Sequence, residues 1–151
     1  MTDLHVEDRL AVQEAIARYA HAFDTGDVAG FVDVFTEDGI FEAVLVDQPD
    51  QRAVFQGHAE LRRFAEATMR EDVHVLHHLA GVMFDSTAVE APTSRATVLV
   101  TKQLPDGPAI STHGTYLDRW RRTSGGWRLA HRRYVALGYG AAHRSRRAPR
   151  H

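Results

Sequence analysis

The chain contains no cysteine, which excludes disulfides, thiolate nucleophiles and cysteine-ligated metal centres. It has no long apolar run either: none reaches the roughly 18 residues of a membrane-spanning helix. The net charge is only -2 over 151 residues, so no global field draws the chain to nucleic acid or to an anionic membrane. Gly-x-Gly-x-x-Gly, phosphate-loop and Gly-x-Ser-x-Gly patterns are all missing, which leaves nucleotide binding and serine hydrolysis without support. There is no His-Glu-x-x-His, and His74 and His78 on one strand would stand about 13 Å apart, too far to share an ion. No metal and no cofactor is expected. The segment from Met1 to Asp8 is acidic and lacks the apolar core of a signal peptide, so a cytoplasmic location is expected.

What is present suits a soluble domain. Hydrophobic residues make up 44% and charged residues 25%, enough for one core in a chain of this length. One domain is expected over 1–140. The remainder, 141–151, carries Arg144, Arg146, Arg147 and Arg150 with nothing to bury, and is expected to be a disordered basic tail.

Val12, Ile16, Tyr19 and Phe23 form an apolar stripe at helical spacing, predicting a helix from about Val6 to Phe23. Gly26 suits its end, and Asp27 suits the N-cap of a short helix from Val28 to Phe35. A turn at Glu37-Asp38-Gly39, a strand from Ile40 to Val46 and a polar loop from Asp47 to Arg52 follow. A third helix is predicted from His58 to Arg70. After it the period changes to two. His74–Phe84, Ser94–Gln103, Ile110–Arg121 and Trp127–Leu137 read as strands, the last three joined as a meander by Pro105-Asp106-Gly107-Pro108 and Ser124-Gly125-Gly126. Three helices cannot cover both faces of such a sheet. The sheet should therefore curl round them as an α+β cone enclosing a pocket.

Asp24 sits where the apolar stripe meets the turn. A carboxylate is unfavourable at a helix C-terminus, so it has either a capping role or another reason to be there. A partly buried Asp24 could accept the Nδ1 proton of a histidine and fix its tautomer. His77 and His78 are the candidates, and only one can enter the pocket. Strict alternation groups His74, Leu76, His78, Ala80 and Val82 against Val75, His77, Leu79, Gly81 and Met83. Both groups are mostly apolar, so parity leaves the choice open.

Tyr19 lies five residues before Asp24, about 140° round an ideal helix. The two should converge only if Asp24 leaves the helical path. Otherwise Tyr19 is a core aromatic of the stripe. Arg132, on the last predicted strand, shares a face with Ala130 and Tyr134 and is either a site cation or a surface residue. His113 lies on the strand before, where a slip of one residue would change its face. His131 has the opposite parity to Arg132 and is expected to be exposed.

Taken together, the helical order, Tyr19-x4-Asp24-x2-Asp27, Phe35-Thr-Glu-Asp-Gly39, His77-His78-Leu79 and Gly114-Thr-Tyr116 with Gly125-Gly126-Trp127-Arg-Leu-x2-Arg132 resemble the SnoaL-like branch of the NTF2-like superfamily. Scytalone dehydratase, bile-acid 7α-dehydratase and hexachlorocyclohexane dehydrochlorinase are similar relatives. The resemblance spans roughly Asp8 to Tyr139. It implies three N-terminal helices packed on a curved, mostly antiparallel sheet, and a homo-oligomer, dimer or trimer, formed through the sheet.

The resemblance also implies roles. Asp24 matches the dyad aspartate, and the base directly before the Leu is His78, with His77 as the alternative. Tyr19 would hydrogen-bond a substrate carbonyl, and Arg132 would sit near the leaving group or a substrate anion. His113 would be a second acid/base. The implied function is a cofactor-independent lyase, a dehydratase acting on a mid-sized apolar polyketide-, steroid- or aromatic-like molecule. A polyketide cyclase or isomerase with the same dyad, and a non-catalytic ligand-binding or assembly module, are the alternatives.

Overall fold

A computed structural model describes residues 2–69 and 74–140 of the chain. The expected tail at 141–151, and the predicted helix end at Arg70, lie outside the described residues.

The first helix, α1 (Val6–Thr25), buries Val12, Ile16 and Tyr19 of the predicted stripe together with Ala15, Ala20 and Ala22, and Phe23 is half-buried against the same core. Gly26 ends it in the left-handed region, φ 74°, where a residue with no Cβ carries no steric cost. Asp27 then caps α2 (Val28–Asp33), accepting from the Gly30 N–H at 2.9 Å. The helix α3 (Gly57–Thr68) buries Leu61 and Ala65. Its Phe64 packs on Phe41 at 5.0 Å and Phe55 at 4.7 Å between ring centroids.

Among the described residues six strands form one sheet: β1 (Phe35–Leu45), β2 (Gln48–Gln56), β3 (Val75–Ser86), β4 (Thr93–Leu104), β5 (Gly107–Thr123) and β6 (Gly126–Tyr139). Their spatial order is β2-β1-β6-β5-β4-β3. Only the β1–β6 pair is parallel. The sheet is curved and mixed, and the three helices pack on it. Its inner face and the helices share one core, including Tyr19, Phe31, Phe35, Val98, Tyr116, Trp120 and Leu129.

Two predictions fail locally for physical reasons. The polar loop expected at Asp47–Arg52 is instead most of a hairpin, β1 turning through Val46-Asp47 into β2. Every β2 residue except Phe55 is exposed. An edge strand held by backbone bonds needs no apolar alternation, and Pro49 is tolerated there. The turn expected at Glu37–Gly39 lies inside β1: Phe35 pairs with Leu129 and Ile40 with His131, so those residues form a wide bulge in a continuous strand. Among the described residues, no helix is long and apolar enough to cross a membrane.

Candidate active site

The core closes round a cavity of about 200 Å³ between the helices and the sheet. Its apolar wall comes from Phe23, Phe41, Phe64 and Val100, and its polar groups from His77, Tyr19, Tyr116, Tyr134, Thr112 and Ser111. A cavity of about 150 Å³ accommodates benzene, so this one suits a single-ring or compact two-ring molecule.

Asp24 meets His77, where the resemblance favoured His78. His77 Nδ1 stands 2.6 Å from Asp24 Oδ1, and the His77 backbone N–H donates to Asp24 Oδ2 at 2.9 Å. Both side chains are nearly closed off, at 6% and 9% exposure. A carboxylate only accepts, so Nδ1 carries the proton, and in the neutral imidazole Nε2 is the nitrogen with the lone pair. His77 lines the cavity, and its ring lies 4.7 Å from Phe23 and 6.3 Å from Tyr19 between centroids. His78 points to the opposite side of the sheet, where Nε2 lies 3.0 Å from Thr101 Oγ1.

Parity could not settle this because alternation does not hold through β3. Gly81 takes φ 60° and the β3–β4 register shifts between Ala80 and Met83. Val75, His77 and Leu79 face inward before the bulge, and Val82 and Phe84 after it. A bulge moves one extra residue into the strand and exchanges its faces. Grouping residues across Gly81 therefore mixes the two.

Asp24 also stays in the helix, since α1 runs to Thr25. The angle between Tyr19 and Asp24 is bridged by the imidazole, one edge held by Asp24 and the ring resting on the Tyr19–Phe23 face. Tyr19 is 1% exposed, so it is both a core aromatic and a cavity residue.

Arg132 is fully buried and lies behind the cavity wall. It donates to Asp118 through Nε at 2.9 Å and Nη2 at 2.8 Å. Its guanidinium lies 4.2 Å from the Tyr19 ring centre and 3.9 Å from that of Tyr116. Nη1 has no hydrogen-bond partner among the described residues, and the guanidinium carbon packs over both rings. Burial alone would favour a neutral guanidine, but the Asp118 charge overrides it and keeps Arg132 protonated at every accessible pH. Trp127, Leu129, Arg132 and Tyr134 all face inward, because the register shifts between Leu129 and His131. His131, expected to be exposed, is half-buried and bonds Glu42 at 3.0 Å. His113 lies between the inward Thr112 and Gly114 and faces outward, away from the cavity that it was expected to enter.

Asp118, Tyr116 and Tyr134 were not singled out from the sequence. The signal was there for two of them: Gly114, Tyr116, Asp118 and Trp120 alternate on one face of β5, and a lone carboxylate among aromatics asks for a buried cation. Burial raises the phenol of Tyr19, raises that of Tyr116 well above the usual range, and pushes Tyr134 up to about 12. All three stay protonated near neutrality. For Tyr134, stability is fully present below the unfolded value of about 10 and is lost as pH rises through about 12, since the unfolded phenol releases its proton first. Thermal melting between those limits should fall more steeply for the wild type than for Tyr134→Phe. Equal slopes would contradict the burial argument. Among the described residues, no three His, Asp or Glu side chains gather in a metal-holding group.

The family model of the SnoaL-like domain matches residues 4–133. A solved Asp-to-Asn variant of Rv3472, a protein of unknown function from Mycobacterium tuberculosis, is 31% identical over 86% of this chain and 72% of its own, with a TM-score of 0.75. A protein from Novosphingobium aromaticivorans, named as a candidate aromatic ring hydroxylase, is 31% identical over 89% and 92%, TM-score 0.73. An NTF2-like protein with a cystatin-like fold, also from Novosphingobium aromaticivorans, is 26% identical over 93% and 88%, TM-score 0.73. No protein of curated function matches.

Proposed function

This chain belongs to the SnoaL-like domain family, with its NTF2-like fold, and on that premise we propose that it is a cofactor-independent lyase whose general base is His77 oriented by Asp24. The observation that carries the reading is the pair of bonds from His77 Nδ1 and the His77 N–H to the two oxygens of one nearly buried carboxylate. That arrangement leaves Nε2 as a proton acceptor in an apolar chamber.

The substrate is a compact ring compound with a carbonyl group and a leaving hydroxyl. His77 Nε2 takes the proton α to the carbonyl, and Asp24 stabilises the resulting imidazolium. Negative charge develops on the carbonyl oxygen. The phenols of Tyr19 and Tyr116 line the cavity; Tyr116 donates to Tyr19, which leaves the Tyr19 proton as the donor available to that oxygen. Arg132 acts through them: its charge beside both rings favours the acidity of Tyr19 and Tyr116. The protonated His77 then returns its proton to the departing hydroxyl, so that water and an alkene or aromatised ring leave together.

An isomerase or cyclase would share the first step, and the product separates them. Incubating the protein with single-ring β-hydroxy ketones should give a product lighter by one water. A product of unchanged mass would replace elimination by isomerisation or cyclisation. A second copy of the chain is the proposed partner. Leu76, Leu99, Ile110 and Leu137 stand exposed at 57%, 36%, 51% and 54% on the outer side of the sheet, which supports self-association there.

A further inference from the structure

Two hydroxyls at the β5–β6 side of the cavity have a fixed direction of donation. Thr112 Oγ1 and Tyr134 Oη are 2.6 Å apart, and that distance alone allows either to donate. A second bond decides it. Thr112 Oγ1 also lies 3.1 Å from the Gly138 carbonyl oxygen. A carbonyl can only accept, so the single Thr112 proton is committed to Gly138. The short bond must then run from Tyr134 O–H to Thr112 Oγ1, which commits the Tyr134 proton in turn.

We infer that Tyr134 offers the cavity an acceptor lone pair and no donor, so that the ligand is a ring compound whose own hydroxyl donates to Tyr134 Oη. The phenol is held in place for this. Its ring lies 5.3 Å from that of Tyr116. A Cβ at Gly114 would strike the Val135 carbonyl oxygen first and would also come within 2.9 Å of Tyr134 Cε2, so the bare Gly114 backbone is the floor on which the ring lies. A ligand with a carbonyl but no hydroxyl at this end sets two acceptors face to face and leaves both unpaired. Tyr134 is thus a specificity-determining residue. The inference rests on the cavity being the ligand site, as proposed above, and adds the donor that the ligand must carry.

Binding to the full chain tests it without turnover. The probes are p-cresol, which can donate, 4-methylbenzaldehyde, which can only accept, and p-xylene, which does neither. Wild-type protein should bind p-cresol about tenfold more tightly than 4-methylbenzaldehyde. Tyr134→Phe should bring p-cresol down to the level of p-xylene. Thr112→Val keeps the shape but removes the acceptor of the Tyr134 proton, which becomes free to point into the cavity. The aldehyde should then bind at least as well as the phenol.

An unchanged preference in Thr112→Val, with an intact melting transition, overturns the inference, because it would place the selecting acceptor on His77 or elsewhere. Equal binding of p-cresol and the aldehyde by wild type does the same. Failure of all three probes would remove the cavity as a ligand site, and the elimination with it. Intact selectivity in a protein whose turnover is indifferent to His77 would sink the elimination alone.

Discussion

Replacing His77 with Gln lowers kcat on a dehydrated substrate by about 10²–10⁴-fold, the range that a positioned general base contributes, while His78→Gln leaves it unchanged. The two histidines are neighbours in sequence, yet one lines the cavity beside Asp24 and the other bonds Thr101 on the far face. Asp24→Asn should be nearly as damaging. Both Asp24 oxygens accept, one from the His77 backbone N–H and one from Nδ1–H. An amide has one oxygen and one NH₂. The backbone N–H cannot become an acceptor, so it keeps the oxygen and leaves the NH₂ facing Nδ1. The imidazole must then carry its proton on Nε2, where the base lone pair was needed. Nitrogen NMR of His77 reads that tautomer change directly, and kcat reads its consequence. Full activity in Asp24→Asn, or a loss in His78→Gln equal to that in His77→Gln, would remove the dyad.

Asp118→Ala should destabilise the fold by about 3–5 kcal/mol, the cost of leaving one member of a buried ion pair uncompensated. Both side chains of the Asp118–Arg132 pair are 0% exposed. Without Asp118, the guanidinium keeps no anionic partner and is left against Tyr19 and Tyr116. Asp38→Ala is the contrast. Asp38 also binds an arginine at 2.8 Å, but the side chains of Arg121 and Asp38 are 52% and 64% exposed, so its loss should cost less than about 1 kcal/mol. Urea unfolding measures both. A double change of Asp118→Leu with Arg132→Met should recover most of the stability while lowering turnover, because an apolar pair fills the space but gives Tyr19 and Tyr116 no charge. If Asp118→Ala and Asp38→Ala cost the same, the buried pair is not holding this part of the core.

Much of the chain was legible because local periodicity and burial agree. The stripe of Val12, Ile16 and Tyr19 is the buried face of α1, and Asp27 caps α2 through its own side chain. Strands β3 to β6 fall within a few residues of their predicted bounds, since each buries one face against the helices. The strand β2 was not legible, because an exposed edge leaves no apolar signature. His113 and His77 show the limit from another side. Which way a strand residue points depends on counting from a fixed origin, and each bulge resets the count.

Amino-acid order by itself determined most of the elements, the family resemblance and the presence of an acid next to the end of the first helix, since these follow from short-range spacing and steric preference. Tertiary structure alone decided that His77 rather than its neighbour meets Asp24, that Arg132 stands behind two phenols with Asp118, and that Tyr134 has already given its proton to Thr112. The physical reason is common to all three. Bulges at Gly81 and near Ala130 set which side chains turn inward, and hydrogen-bond direction depends on partners tens of residues away.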